Sequence, residues 1–201
     1  MRALSRRGKI ALALIVAAIV IAAFFLATRP VSAPPDDTAL TPQPEPLINT
    51  FDRSPTGFSF RYPEGWTYQI PFQGVLLAGL PESLNNSVPG PIFTVQRGLT
   101  LNLAGSLSGA IEAYLQEGPL RTEGLWQVTV PEGDMTLDGR PARAIELEGA
   151  ERGGPASHTR IVAAAADNTL IYLFIMTAPV TDATQYRPTF DAMLDSVEIF
   201  E

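Results

Sequence analysis

From residue 47 onward apolar and polar positions recur with short, changing periods, and the period indicates the element. Phe58, Phe60 and Tyr62 alternate with Ser59 and Arg61, the pattern of a half-buried strand. Pro63-Glu64-Gly65 supplies a turn, and Trp66-Thr67-Tyr68-Gln69-Ile70 alternates again, so the two runs predict a hairpin. Residues 71–90 are rich in Pro, Gly, Ser and Asn and read as a long irregular excursion, with a short strand over 92–96 after it. Leu107, Ala110, Ile111, Tyr114 and Leu115 fall at i, i+3, i+4, i+7 and i+8, one face of an amphipathic helix. Ser106 is available as its N-cap, and Gly118-Pro119 stops it.

The second half predicts a meander, with strands over 126–130, 134–137, 142–148, 158–164 and 169–177. Asp138-Gly139, 151–154 and Asp167-Asn168 supply the turns. Within 142–148, Ile145 and Leu147 occupy one face and Ala144, Glu146 and Glu148 the other. By contrast 170–176, LIYLFIM, is apolar on both faces, which predicts a central strand covered on both sides. A helix follows over 181–195, its stripe formed by Tyr186, Phe190, Met193, Leu194 and Val197, with Pro188 tolerable only near the first turn. Residues 197–200 can close as a last strand. The expected class is α+β, an antiparallel β-sheet flanked by α-helices.

The start of the chain follows a different pattern. Residues 1–9 hold Arg2, Arg6, Arg7 and Lys9 and no acid, and 10–28 is a 19-residue run without charge. A helix of that length spans roughly 28 Å, close to the hydrocarbon thickness of a bilayer. The cationic flank predicts a cytoplasmic basic tail over 1–9, one N-terminal transmembrane signal anchor over 10–28, and everything after it outside the cytoplasm. The expected location is the cell membrane, single-pass. A cleaved signal with secretion is the alternative, Val31-Ser32-Ala33 being a small-x-small site, though it lies beyond Arg29 and before Pro34-Pro35. Residues 29–48 form a Pro-rich linker, with six prolines between Pro30 and Pro46. In extended polyproline form it reaches roughly 40–50 Å. The folded extracytoplasmic domain is expected over 49–201.

Charge sharpens this division. The chain carries 14 Lys plus Arg, 21 Asp plus Glu, one His and no Cys. All the acids lie after residue 35, so residues 30–201 hold 9 Arg against 21 acids, a formal −12. Such a balance argues against nucleic acid as partner. It also repels anionic headgroups, keeping the domain off the membrane surface. The absence of Cys removes disulfides, thiolate catalysis, Cys-ligated zinc and a lipoprotein-type acylated cysteine.

Candidate chemistry is sparse. His158 follows Ser157, and neighbours on a strand point to opposite faces, so the pair cannot act as nucleophile and base. Glu132, Asp134 and Asp138 cluster at a turn but lack calcium-loop spacing. Glu146 and Glu148 read as a solvated strand face. Arg140, Arg143, Arg152 and Arg160 read as partners in cross-strand ion pairs, with a small anion-binding patch as the sharper alternative. No catalytic residue, cofactor or metal ligand is assigned.

Three motifs in order carry a resemblance. Gly57-Phe58-Ser59-Phe60-Arg61-Tyr62-Pro63-Glu64-Gly65-Trp66, the turn Leu137-Asp138-Gly139-Arg140-Pro141-Ala142, and Phe190 with Leu194-Asp195-Ser196-Val197 together resemble the PsbP-like superfamily over residues 50–201. That resemblance implies an antiparallel sheet flanked by helices, in a superfamily that mostly supplies non-enzymatic binding and assembly modules. Extrinsic photosystem II proteins, a nuclear-import factor that binds a small GTPase, and bacterial lipoproteins and anchored proteins are among its members. This chain has no lipobox cysteine and no Lys-rich docking surface, so the resemblance carries no functional residue over.

The expected function is therefore a non-enzymatic, membrane-tethered binding or assembly module with an envelope protein as partner. Its partner surface is expected in the 71–90 excursion, at Phe72, Val75, Leu76 and Leu77. The alternative is a small-ligand or lipid-binding protein with an apolar pocket between sheet and helix, lined by Trp66, Phe93, Leu115 and Phe174. A hydrolase is the third reading.

Overall fold

The computed structural model describes residues 41–53, 57–72, 74–85, 88–100, 106–117, 126–150, 155–167 and 169–200. The predicted anchor over 10–28 lies outside these residues. Among the described residues no helix is long and apolar enough to cross a membrane.

Among the described residues ten strands form two antiparallel sheets. The smaller has the order β1-β2-β10, from β1 (Leu47–Asp52), β2 (Gly57–Pro63) and β10 (Glu198–Phe200). The larger has seven strands in the order β3-β4-β5-β9-β8-β7-β6. These are β3 (Thr67–Phe72), β4 (Val75–Gly79), β5 (Ile92–Thr100), β6 (Trp126–Leu137), β7 (Arg140–Ala150), β8 (Ala156–Ala165) and β9 (Leu170–Pro179). Among the described residues three helices accompany them: α1 (Pro81–Leu84), α2 (Leu107–Glu117) and α3 (Ala183–Asp195).

The double-sided apolarity of 170–176 has a direct cause. β9 is the middle strand of the large sheet, and residues 171–176 are buried without exception. On one face Tyr172, Phe174 and Met176 meet the small sheet, with Phe58 5.3 Å from Tyr172 and 6.3 Å from Phe174, centroid to centroid. Phe60 packs on Phe93 at 5.1 Å, and Phe190 and Met193 of α3 complete this core. On the other face Ile171, Leu173 and Ile175 join Ile145, Leu147 and Ile161 beneath Ala110 and Ile111 of α2. Aromatic rings dominate the first face and branched aliphatics the second, each filling its own interlayer gap.

Several expectations need correction. Residues 71–90 are not one irregular excursion: β3 runs to Phe72, β4 occupies Val75–Gly79, and α1 follows. The adjacent Leu76 and Leu77 hid the alternation of β4, which lies between β3 and β5 with Leu76 and Ala78 in the core. Gly79 is required there, because a Cβ at that position would sit 2.7 Å from the Pro91 carbonyl oxygen. Runs 126–130 and 134–137 are one strand, β6, whose register shifts between Val128 and Val130 and again between Val130 and Gly133 absorb Pro131. An edge strand tolerates this, since a proline facing outward removes no ladder bond. Pro188 is the sixth residue of α3 rather than part of its first turn. The carbonyl its ring leaves without a helical donor belongs to exposed Thr184, where water can serve it.

Candidate functional site

Register creates the site. On the face of the large sheet turned towards the small sheet and α3, β7 presents Ala142, Ala144, Glu146 and Glu148, which pair across β8 with Ala164, Val162, Arg160 and His158. The same β8 residues pair with Tyr172, Phe174, Met176 and Ala178 of β9. Four rows result, two apolar and two charged. The apolar rows belong to the aromatic core beneath β2, and the charged rows lie beneath the N-terminal half of α3.

Between the charged rows and α3 is a cleft of about 260 Å³. Its apolar surface comes from Met176, Ala178, Val180, Ala183 and Phe190, its charged surface from Glu146, Glu148, His158, Arg160, Arg187 and Asp191. Glu146 lies at its base, 5% exposed, and is held from three directions. Arg187 Nη2 donates to Glu146 Oε1 at 2.7 Å and Nη1 to Oε2 at 3.3 Å, a two-pronged fork. His158 Nε2 lies 3.3 Å from Oε2, and Arg160 Nε lies 3.9 Å from Oε1. A carboxylate removed from water needs such partners, since an unpaired buried charge is costly. Outside this ring Arg160 Nη1 donates to Asp191 Oδ1 at 2.6 Å, and His158 Nδ1 stands 3.3 Å from Glu148 Oε1. A neutral imidazole can donate to one of its two carboxylates, an imidazolium to both.

The residues singled out from sequence fall elsewhere. Phe72 and Val75 pair across the β3–β4 turn, Leu77 is half-buried, and Leu76, 3% exposed, belongs to the aromatic core. A continuous exposed surface through Leu76 is therefore not present: alternation along β4 turns that side chain inward and away from its neighbours. The exposed large apolar residues of this hairpin are Tyr68, whose ring meets Phe51 at 5.2 Å, and Ile70. Trp66, Phe93 and Phe174 share the aromatic core, Phe93 and Phe174 fully buried with their rings 6.3 Å apart, whereas Leu115 packs on the opposite face of the sheet. The large sheet stands between Leu115 and the other three, so the four side chains do not line one pocket.

The arginines do not converge either. Arg140 donates to the carbonyls of Ala166 and Ile199, while Arg143, on the α2 face, contacts Glu132 and Asp134 at 3.1 and 3.0 Å and Ser108 of α2. Arg152 lies outside the described residues. Asp138 accepts the Ile199 N–H at 2.8 Å. Among the described residues, no group of three or more His, Asp or Glu side chains is placed to hold a metal ion.

Sequence reasoning missed Glu146 because i, i+2 spacing identifies a face but not what covers it. One signal was available. Glu146 and Glu148 on one strand and Arg160 and His158 on the next lie at equal distances from the intervening turn, so an antiparallel pairing sets opposite charges side by side.

The same structure explains the three sequence motifs as scaffolding. Phe58 and Phe60 build the core, and Pro63 is buried behind them. Asp138 (φ +51°) and Gly139 (φ +69°) make the tight turn between β6 and β7, which Asp138 and Arg140 fasten to β10. Ser196 Oγ accepts the Arg61 N–H at 2.9 Å and donates to the Met193 carbonyl at 2.7 Å, joining the end of α3 to β2.

No family sequence model matches the chain, and no curated protein matches it in sequence. Solved structures do match its fold. Cyanobacterial PsbP (CyanoP) of Synechocystis superposes with a TM-score of 0.56 at 15% identity, over 77% of this chain and 93% of its own. The Ran-binding protein Mog1p of Saccharomyces cerevisiae does so with 0.54 at 9% identity, over 78% and 97%. At these identities the likeness concerns the fold alone. Two antiparallel sheets, with α2 on one face of the large sheet and α3 beside the small sheet on the other, and the three motifs at their junctions, give this chain the PsbP-like fold.

Proposed function

We propose that the chain is a membrane-tethered extracytoplasmic binding module that docks a protein partner at the cleft between α3 and the large sheet. One observation carries this reading: the cleft's charged groups are already paired with each other. A general acid or base has to reach substrate, whereas Glu146 is buried and closed over by the Arg187 fork. His158 lies between two carboxylates rather than beside a nucleophile. Docking needs less, namely a concave surface with an apolar floor and a charged rim. The uncharged run over 10–28 and the Pro-rich linker support the tether, and the PsbP-like fold is compatible with non-enzymatic binding.

The test is site-specific photocrosslinking in intact cells. A photoreactive residue replaces exposed Thr184 at the cleft rim and, as control, exposed Glu112 on α2, across the sheet. The expected result is a discrete adduct from position 184 alone, in the membrane fraction, with the domain open to external protease. Absence of any adduct from 184, or a domain protected on the cytoplasmic side, overturns the reading.

A further inference from the structure

We infer that the cleft takes a cationic side chain of the partner, arginine by preference, with its aliphatic stem on Met176 and Ala178 and its head between Glu148 and Asp191. This rests on the docking reading and adds the chemistry of what docks. Three observations converge on it.

The first is size. At about 260 Å³ the cleft lies below the roughly 300–1,000 Å³ typical of sites that enclose a whole small ligand. It suits one long side chain. The second is polarity: buried Met176, Ala178 and Phe190 line the cleft together with the half-exposed carboxylates of Glu148 and Asp191. A side chain with a methylene stem and a charged head matches that pair of surfaces, stem buried and head towards water.

The third is charge. Glu148 and Asp191 remain half-exposed, with side-chain accessibilities of 45% and 44%, and each gives one oxygen to the internal network, Oε1 to His158 and Oδ1 to Arg160. Among the described residues Glu148 Oε2 and Asp191 Oδ2 have no partner, and a carboxylate oxygen accepts more than one hydrogen bond. The cations of the cleft are engaged: Arg187, itself 55% exposed, forks onto both oxygens of Glu146, and Arg160 Nη1 bonds the rim residue Asp191. Glu148 and Asp191 each keep an acceptor oxygen, and a guanidinium presents donors in a fork that fits carboxylates. The formal −12 of residues 30–201 attracts such a group and repels an anionic one at long range.

The experiment titrates the full chain in detergent micelles at low salt with three blocked tripeptides, acetyl-Gly-X-Gly-amide, where X is arginine, its uncharged isostere citrulline, or glutamate. Binding is read by calorimetry and by chemical-shift changes. The arginine peptide is expected to bind, with the citrulline peptide at least tenfold weaker. The double variant Glu148→Gln, Asp191→Asn is expected to lose at least tenfold. Thr184→Arg, on the exposed first turn of α3, supplies a cation from the chain itself and is expected to weaken binding comparably, so the test does not hang on one variant's folding. Glu112→Gln on α2 should change nothing.

Four results overturn the inference: no binding of the arginine peptide, equal binding of the citrulline peptide, stronger binding of the glutamate peptide, or binding by the rim variants equal to wild type. The docking reading fails separately. If the position-184 adduct persists in the Glu148→Gln, Asp191→Asn background, docking stands and the cationic side chain does not.

Discussion

Glu146 shows what one buried residue does in this domain. Its carboxylate is buried with Arg187, Arg160 and His158 around it, and Arg187 forks onto both of its oxygens. Removing one partner of a fully buried pair costs roughly 3–5 kcal/mol. Here Arg187 is 55% exposed and can turn to water, so Glu146→Ala is expected to cost about 2 kcal/mol, and Arg187→Ala about 1 kcal/mol. Urea denaturation checks both, and near-equal losses would contradict the burial argument. Protonation adds a second residue-level expectation. Thr169 Oγ–H and the backbone N–H groups of Thr169 and Leu170 donate to Asp167, holding its carboxyl below the ordinary 3.8. A depressed folded value means its contribution is present above about pH 4 and is lost as pH falls through that depressed value. Tyr172 behaves oppositely: burial raises its pKa against the opposing pull of Arg97 and Arg53, so its contribution is present below pH 10 and is lost above it. Thermal melts across pH should find Asp167→Asn flattening the acid limb and Tyr172→Phe the alkaline one.

At the scale of elements, the turn between β6 and β7 does more than reverse the chain. Asp138 occupies a left-handed conformation that costs a side chain about 1–2 kcal/mol, tolerated here because its carboxylate accepts the Ile199 N–H of β10. Asp138→Ala, which keeps the strain and loses the acceptor, should cost about 2 kcal/mol. Asp138→Asn keeps an acceptor in a residue that visits this region readily and should cost under about 1 kcal/mol; chemical denaturation separates the two. The elements were readable from sequence wherever local periodicity fixes them: β2, β7, β8, β9, α2 and the closing helix. β1 escaped although Leu47, Asn49 and Phe51 alternate inward, because a six-residue run beside a Pro-rich segment looks like more linker. β4 escaped because its five residues, Val75 to Gly79, include no polar position to betray the period. The cleft was the least legible part. It depends on Glu146 facing Arg160 across one hairpin and meeting Arg187 forty-one positions away, and no local pattern encodes that second meeting.

For the whole molecule, the proposed tether and the domain make separable predictions. Proteolysis within the Pro-rich residues 30–41 should release a soluble fragment that unfolds cooperatively at the same temperature as the full chain, while deletion of 10–28 should abolish sedimentation with membranes. A released fragment without a cooperative transition would mean the described residues do not stand alone. Pro42–Glu201 forms one compact unit, which favours independent folding.

The way the chain enters that unit has a mechanical consequence. The Glu45 N–H bonds to Thr189 Oγ1 of α3 at 3.0 Å, and two residues later β1 begins, an edge strand paired only with β2. Tension reaching Glu45 meets this hydrogen bond before it meets the pairing of Leu47 with Pro63, which is loaded from its end. A ladder pulled from its end opens rung by rung rather than all at once. β2 stays anchored by β10 on its other side and by its aromatic rings. The domain thus has a built-in order of yielding: under the tether we propose, overstretching peels β1 while the cleft between α3 and the large sheet keeps its shape.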